Sequence, residues 1–443
     1  MWVLGLVIMI DQIDQNIVRG VVPQLKSDFG INDAQIGLLL SAFVIVNGLV
    51  TVPAGYLADR WNRTHTIGHT VVGWSAITMA TAASGTFGVL LALRAALGFG
   101  QAVTEPSAAS LLSDYYPAAQ RGRAFAVQQV LTFVGIGTGI ALGGGIGQHF
   151  GWHWAFIVVG PPGFLIAFLA YRLREPRRGH ADRMQLGVEE SDDDAGEDER
   201  VDLFEGGIRQ FFVDMMRGLR DDFRTIYAIP TLRYALAGVG ALLFTVSGIG
   251  AWLAVFHERF SGMTQDEATR AVGGLLIAGG VPGILLGGRI ADRYASRVRG
   301  ARVVIPAYCI GVGNTIFIVS YLPIPSGVSI FLQLLAIFAV TMAIPALRAG
   351  LADAVPAHLR GAGFGAFNLV SIVFGAALAP LVVGALADVW NLRVAFLVVS
   401  PPVYIGAYIL FKARDHLDAD ALKIFEAVMR AMQQDQERNA ERD

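Results

Sequence analysis

The sequence predicts an all-α integral membrane protein with twelve transmembrane helices in two pseudo-symmetric six-helix bundles. Three observations carry this reading. Of its 443 residues, 54% are hydrophobic and only 16% charged, whereas a soluble domain carries about 25% charged residues; mean hydropathy is +0.53. Apolar runs of about 20 residues, long enough for a roughly 30 Å hydrocarbon core, recur along the chain. Finally, the second half repeats landmarks of the first. Only helices or closed barrels satisfy the backbone in lipid, and these runs exceed barrel strands, so the spans are helices.

The first bundle covers residues 1–172. Span 1, near 1–24, lacks a basic leader region and carries Asp11, Asp14 and Arg19, unlike a cleaved signal. Span 2 (34–57) ends in Gly55-Tyr56-Leu57-Ala58-Asp59-Arg60. Span 3 (66–86) follows, and span 4 (88–113) holds Arg94 and Glu105 eleven residues apart, a spacing that returns to nearly the same helix face after three turns. Span 5 (123–147) contains Gly135, Gly137, Gly139, Gly143, Gly144 and Gly145, suited to close helix packing. Span 6 (153–172) completes the bundle.

Residues 173–230 form an acidic linker containing Glu189, Glu190, Asp192, Asp193 and Asp194. Its later part places Ile208, Phe211, Phe212, Met215 and Leu219 opposite Arg209, Asp214, Arg217 and Arg220, the pattern of an interfacial amphipathic helix. The second bundle covers 231–412, with spans near 232–256, 268–290, 302–322, 327–350, 362–386 and 394–412. Residues 413–443 read as a polar tail. Arg60, Arg63, Arg121, Arg123, Arg293, Arg297, Arg299, Arg302 and Arg360 fall in alternate connections, against Lys26, Arg259, Arg270 and Arg393 in the others. By the positive-inside rule both termini are expected in the cytoplasm.

The repeat is specific. Gly288-Arg289-Ile290-Ala291-Asp292-Arg293 echoes the sequence after span 2 at 233 positions' distance, and Asp114, Pro117, Arg121, Gly122 and Phe125 match Asp353, Pro356, Arg360, Gly361 and Phe364 at 239. Parallel repeats of this kind place a substrate site between the halves and permit alternating access by rocking. The chain resembles the major facilitator superfamily over essentially its full length, its Gly55–Arg63 segment looking like that family's signature between spans 2 and 3. The resemblance implies a major facilitator fold. Asp59, Arg60, Arg63, Arg121, Asp292, Arg293 and Arg360 are then the expected gating residues, a carboxylate at a helix end beside arginines being able to bond neighbouring helix ends shut.

An ionisable group at membrane depth costs about 2.5 to 3.5 kcal/mol on insertion scales unless paired or hydrated, so each is a functional candidate. Asp14, Glu105 and, in reserve, Asp11 are the candidate proton carriers, because burial and a neighbouring arginine act oppositely on a carboxylate. Arg94 leads the candidates for substrate binding, with Arg19, Gln15, Gln101, Asn47, Phe244, Trp252 and Arg348. The second half differs: Gln333 matches Arg94, Ile344 matches Glu105, and no ionisable side chain lies between Tyr234 and Phe256. One charged and one apolar wall suit an amphiphile with a polar head.

A narrower resemblance agrees. Ile13-Asp14-Gln15-Asn16, Asp59-Arg60-Trp61-Asn62-Arg63 and the stretch from Arg94 through Pro106 to Pro117 look like the Spinster branch, whose members carry lysolipids and sphingosine-1-phosphate. That branch commonly has arginine where this chain has Gln15 and glutamate where it has Gln101; Arg19 and Glu105 stand one turn beyond each. The expected function is proton-coupled transport of a lysolipid-like or sphingolipid-like molecule or an organic anion, with a multidrug:proton antiporter or an organic-anion:proton symporter as alternatives. Partners are then protons, that substrate and the lipid bilayer, with no nucleic acid and a monomer expected. His65, His69, His149, His153 and His257 gather no metal-ligand set, the single Cys309 cannot form an internal disulfide, and no phosphate-cradling loop occurs. An enzyme, a cofactor, a metal site or an ATP-driven pump is therefore not expected.

Overall fold

A computed structural model describes residues 2–58, 62–116, 118–176, 229–295, 300–353 and 371–416, with isolated positions between 213 and 227. Helix occurs in each of the twelve expected spans, the eleventh being described only from residue 371. In the first half these are α1 (Trp2–Gly20, continued as Val22–Phe29), α2 (Asp33–Ala58), α3 (Arg63–Thr81), α4 (Phe87–Gln101, continued as Thr104–Tyr115), α5 (Ala118–Phe150) and α6 (Trp152–Tyr171). In the second they are α7 (Pro230–Ser261), α8 (Gln265–Leu275, a π-turn at Leu276–Gly280, then Val281–Ala295), α9 (Ala301–Ser320), α10 (Ser326–Asp353), α11 (a π-turn at Ser371–Ala377, then Ala379–Val389) and α12 (Leu392–Val399, then Pro402–Lys412). The twelve-helix major facilitator architecture expected from the sequence is the architecture observed.

Among the described residues, nine helices are apolar and long enough to cross a bilayer by composition alone. Helix α1 falls outside that set because Asp11, Asp14 and Arg19 interrupt it, and α3 because it is rich in Thr and His. Local chemistry sets the ends. Asn62, Thr86 and Asn391 each accept a backbone N–H at the first turn of α3, α4 and α12, and Thr264 with Glu267 forms a capping box on α8.

The halves meet along two seams, α5 against α8 and α2 against α11. The glycines of α5 explain the first seam. A Cβ at Gly135, Gly139 or Gly143 would lie 2.4–2.6 Å from a backbone oxygen of α1, and one at Gly137 would lie 2.5 Å from the Gly273 oxygen of α8. Small residues here bring backbones together where lipid supplies no hydrophobic drive. One face of α5 thus builds its own bundle, and the other joins the two bundles.

Every hydrogen bond between the halves among the described residues lies at the end opposite the chain termini, here called the distal end. Arg259 of α7 holds both Asp33 oxygens at 2.7 and 2.8 Å, with Lys26 on the same carboxylate. Asp388 accepts the Asp33 and Ala34 N–H groups at 3.0 and 2.8 Å, capping α2 from the other half. Gln265 donates to the Gly20 carbonyl at 2.5 Å and to Gln24, and Gln148 accepts the Asp266 N–H at 2.6 Å. This distal lock carries no sequence motif. Its members are single polar residues in separate connections.

Candidate functional site

Helix α1 brings its two carboxylates into the bundle on different partners. Asp14 is fully buried and accepts from Thr78 Oγ1 of α3 at 2.7 Å and Gln101 Nε2 of α4 at 2.9 Å. Gln101 stands where the resembled branch has glutamate, and here it serves Asp14 as a donor. Asp11, 7% exposed, accepts from Gln15 at 2.8 Å and Gln12 at 3.4 Å, and its other oxygen is without a partner.

Arg94 is 2% exposed, with its guanidinium 4.7 Å above the Phe156 ring. Its Nε and Nη2 have no hydrogen-bond partner among the described residues. Its charge acts on Asp14 without a direct hydrogen bond, the Asp14 oxygens accepting from Thr78 and Gln101. A buried guanidinium with free donors is costly unless something binds it. Arg94 is thus tied to Asp14 by charge and not by a hydrogen bond.

Arg94 also lines a cavity of about 60 Å³ together with Gln15, Asn16, Arg19, Phe43 and Pro380, among others, while its Nε and Nη2 stay buried in the wall. That volume is space for ordered water or a small polar head. Arg19 reaches across the interface, its Nη1 lying 3.8 Å from where a Cβ on Gly250 of α7 would stand. Gly250 also lines a second cavity of about 120 Å³, formed by Leu242, Ile249, Leu276, Phe317 and Ile344 with Phe133 of α5. The second cavity is almost wholly apolar. A two-arginine pocket and an apolar chamber thus adjoin at a residue with no side chain.

Other expected residues sit elsewhere. The expectation that Glu105 shares a face with Arg94 meets a break in α4 after Gln101, and Glu105 emerges exposed where Arg94 is buried. Its charge nonetheless reaches Asp11. Asn47 donates to the Gly98 carbonyl at 3.3 Å, tying α2 to α4 outside the cavity. Trp252 is fully buried and donates to the Pro380 carbonyl at 3.1 Å, joining α7 to α11, while Phe244 is half-buried against the core. Neither aromatic lines either cavity.

At the end near the termini, Arg63 is 1% exposed and bonds Asp114, Ser110 at 2.8 Å, Glu175 at 2.7 Å and the Pro176 carbonyl at 2.8 Å. These partners lie in the first half and in the first residues of the linker. Arg63 clamps α3, α4 and the end of α6 together, whereas Arg293 is exposed. Asp59, Arg60 and Arg360 lie outside the described residues, as do the side chains of Arg121, Asp292 and Arg348, most of the linker and the chain after residue 416.

Comparison with known proteins accords with this geometry. The family model of the Major Facilitator Superfamily matches residues 4–371. Protein spinster homolog 1 of Homo sapiens is 30% identical over 185 residues, covering 41% of this chain and 35% of that protein. The niacin transporter NiaP of Acinetobacter baylyi is 31% identical over 203 residues, 44% of this chain and 46% of that one. The matched stretches thus span less than half the length of these relatives. A crystal structure of a bacterial homolog of the human lysosomal transporter Spinster, inward-facing and unoccupied, superposes with a TM-score of 0.76 at 22% identity over 95% of this chain and 97% of that one. Its inward-facing, occupied form gives 0.68 at 20% identity, covering 97% and 96%.

Proposed function

The chain belongs to the Major Facilitator Superfamily, with its likeness in the Spinster-like branch, and from that premise we propose that it is a proton-coupled carrier of amphipathic anions working by alternating access, with both termini in the cytoplasm. The observation that carries the reading is the adjacency of the two cavities: Arg19 and Arg94 offer donors for an anionic head, and beyond Gly250 the apolar chamber offers room for a tail. Among the described residues no carboxylate lines the polar cavity; buried Asp14 offsets part of the Arg94 charge from behind the wall, and an anionic ligand would meet the rest together with Arg19.

Asp14, Asp11 and Glu105 supply the proton sites. The Asp14 carboxylate interacts electrostatically with Arg94, so an anion engaging Arg94 changes what Asp14 experiences. Proton and substrate then bias the same conformational equilibrium, which is what coupling requires. The distal lock describes a state closed on the far side. In transport, the Asp33–Arg259 contact breaks as the termini-side closes.

The test uses protein in liposomes under a pH gradient, with single-chain lysolipids, sphingoid phosphates and small carboxylates as substrates. We expect accumulation of at least one single-chain amphipathic anion, lost in Asp14→Asn while binding persists. Accumulation in Asp14→Asn, Asp11→Asn and Glu105→Gln, singly and combined, with unchanged pH dependence would remove these carboxylates from coupling. Transport of short carboxylates in preference to every amphiphile favours the organic-anion reading, to which the resemblance to a niacin transporter lends weight.

A further inference from the structure

The second half holds a buried titratable group that the transport reading does not use. His257, on the last turn of α7, is fully buried, and both its ring nitrogens are engaged. Nε2 lies 2.7 Å from Gln333 Oε1, and Nδ1 lies 2.9 Å from Ser261 Oγ. Gln333 occupies the position matching Arg94. The place where the first half keeps a free guanidinium is, in the second half, the start of a hydrogen-bond chain.

The direction of that chain follows from its far end. The Ser320 carbonyl can only accept, so Ser329 Oγ donates to it, at 2.7 Å. Ser329 must then accept from Gln333 Nε2, at 3.2 Å, which turns Gln333 Oε1 toward the ring. Nε2 of His257 therefore carries a hydrogen in either charge state. Nδ1 is the variable atom. In the neutral ring it accepts from the Ser261 hydroxyl; in the charged ring it donates, and the hydroxyl turns to accept. Protonation breaks no hydrogen bond. Ser261 is half-buried at the distal end of α7, so protons arrive there from the distal side.

The surroundings set the consequence. On its own helix His257 is followed by Glu258 and Arg259; α10 presents only Gln333 and Ser329; Tyr321 packs beside Phe256 and Phe396; Arg393 of α12 stacks over Phe260 at 4.6 Å; and across the interface Asp33 and Lys26 are bound up with Arg259. No carboxylate bonds the ring. A charged imidazole here is buried without a counter-ion, which is costly, so it favours a conformation that admits water to this turn. The same turn carries Arg259, half of the distal lock. We propose that His257 is a proton-binding site of the second half, loaded through Ser261, whose protonation favours opening of the distal lock. The proposal assumes alternating access but not the assignment of coupling to Asp14.

Two measurements test it. In protein with ¹⁵N-labelled histidine in nanodiscs, one ring should convert at Nδ1 from unprotonated to protonated between about pH 8 and pH 5, with Nε2 protonated throughout. His257→Gln should delete that signal. Ser261→Ala should move its midpoint to lower pH, which assigns it independently if His257→Gln folds poorly. Spin labels at exposed Phe150 and Leu322, in a Cys309→Ala background, report separation of the halves at the distal end. Lowering the pH over the same interval should raise the distal-open population about threefold or more in the parent and in Asp14→Asn, and leave it nearly unchanged in His257→Gln. An Nδ1 that stays unprotonated throughout overturns the proposal, as does an undiminished response in His257→Gln. A response abolished instead by Asp14→Asn assigns it to the first half, overturning this proposal while leaving the transport reading standing.

Discussion

The two six-helix halves share landmarks at offsets of 233 and 239 yet surround their buried polar groups differently. In the first half a carboxylate and a guanidinium are buried near one another, Asp14 satisfied by two neutral donors and Arg94 left partly free. In the second half the corresponding contact is neutral and closed, with His257, Gln333 and Ser329 bonded in sequence. A repeat preserves the helix frame because packing small residues and capping ends constrain it. It does not preserve what the inward-facing side chains do. The difference teaches that the buried carboxylate and guanidinium belong to the first half and most of the apolar cavity wall to the second, and each prediction below probes that division.

The largest expected effect is on stability at the end near the termini. Arg63 is buried among Asp114, Glu175, Ser110 and the Pro176 carbonyl, and removing one partner of a buried ion pair costs about 3 to 5 kcal/mol. Arg63→Ala should therefore lower the unfolding midpoint in detergent by many degrees. Exposed Arg293 of the second half is different: its alanine variant should stay within about 0.5 kcal/mol of the parent. Equal effects at the two positions would mean that the clamp contributes nothing beyond a surface charge.

Next comes binding. Hydrogen bonds to charged groups contribute about 1.5 to 3 kcal/mol each, so Arg94→Ala should weaken an amphipathic anion by roughly 100-fold in titration calorimetry. The same change removes the charge that acts on buried Asp14, so the unliganded protein should lose stability as well, and affinity is compared where both variants are folded. Gln333→Ala should leave affinity within a few-fold while costing about 1 to 3 kcal/mol, because the buried His257 Nε2–H loses its acceptor. Should Gln333→Ala instead abolish binding, the second half would have to hold the head group.

The distal lock is expected to give a smaller effect because it is only partly shielded, the Arg259 side chain being 33% exposed. Asp33→Asn weakens a contact between the halves without touching either cavity. We expect about a tenfold rise in the distal-open population, read by the same label pair, with the unfolding midpoint nearly unchanged. A conformational distribution identical to the parent's would show that the glycine seam alone holds that end closed.

What the sequence made legible follows the strength of the physical constraint. The bilayer forces each crossing to be a continuous apolar run, so spans announce themselves; even α1, with three charged residues, was readable from its apolar flanks. The break in α4 was not. It falls at Ala102 and Val103, and its one local signal is Pro106, which lacks the N–H to bond the Ala102 carbonyl and crowds that carbonyl; the break turns Glu105 away from the face that spacing gave it. The distal lock was equally hidden, since Asp33 and Arg259 are single charges 226 positions apart with no local pattern to join them. Spacing along a helix identifies neighbours within a few turns; contacts between halves depend on the assembled bundle.

The smallest effect separates residues that line a site from residues that hold its walls. Sequence placed Asn47 and Trp252 among substrate contacts, one in each half, because a polar or aromatic group in an apolar span invites that reading. The structure gives both the same different surroundings: Asn47 bonds the Gly98 carbonyl across α2 and α4, and Trp252 bonds the Pro380 carbonyl across α7 and α11. Each is one neutral hydrogen bond, for which about 0.5 to 1.5 kcal/mol is typical. The Asn47 bond is long at 3.3 Å and should fall at the low end. Asn47→Ala and Trp252→Phe should therefore each lower the unfolding midpoint slightly and leave substrate affinity within about threefold. The Phe replacement keeps the ring and removes the indole donor, so it reads the hydrogen bond without a large cavity. A tenfold loss of affinity in either variant, with stability unchanged, would return that residue to the binding site and shift the boundary between the charged and apolar halves.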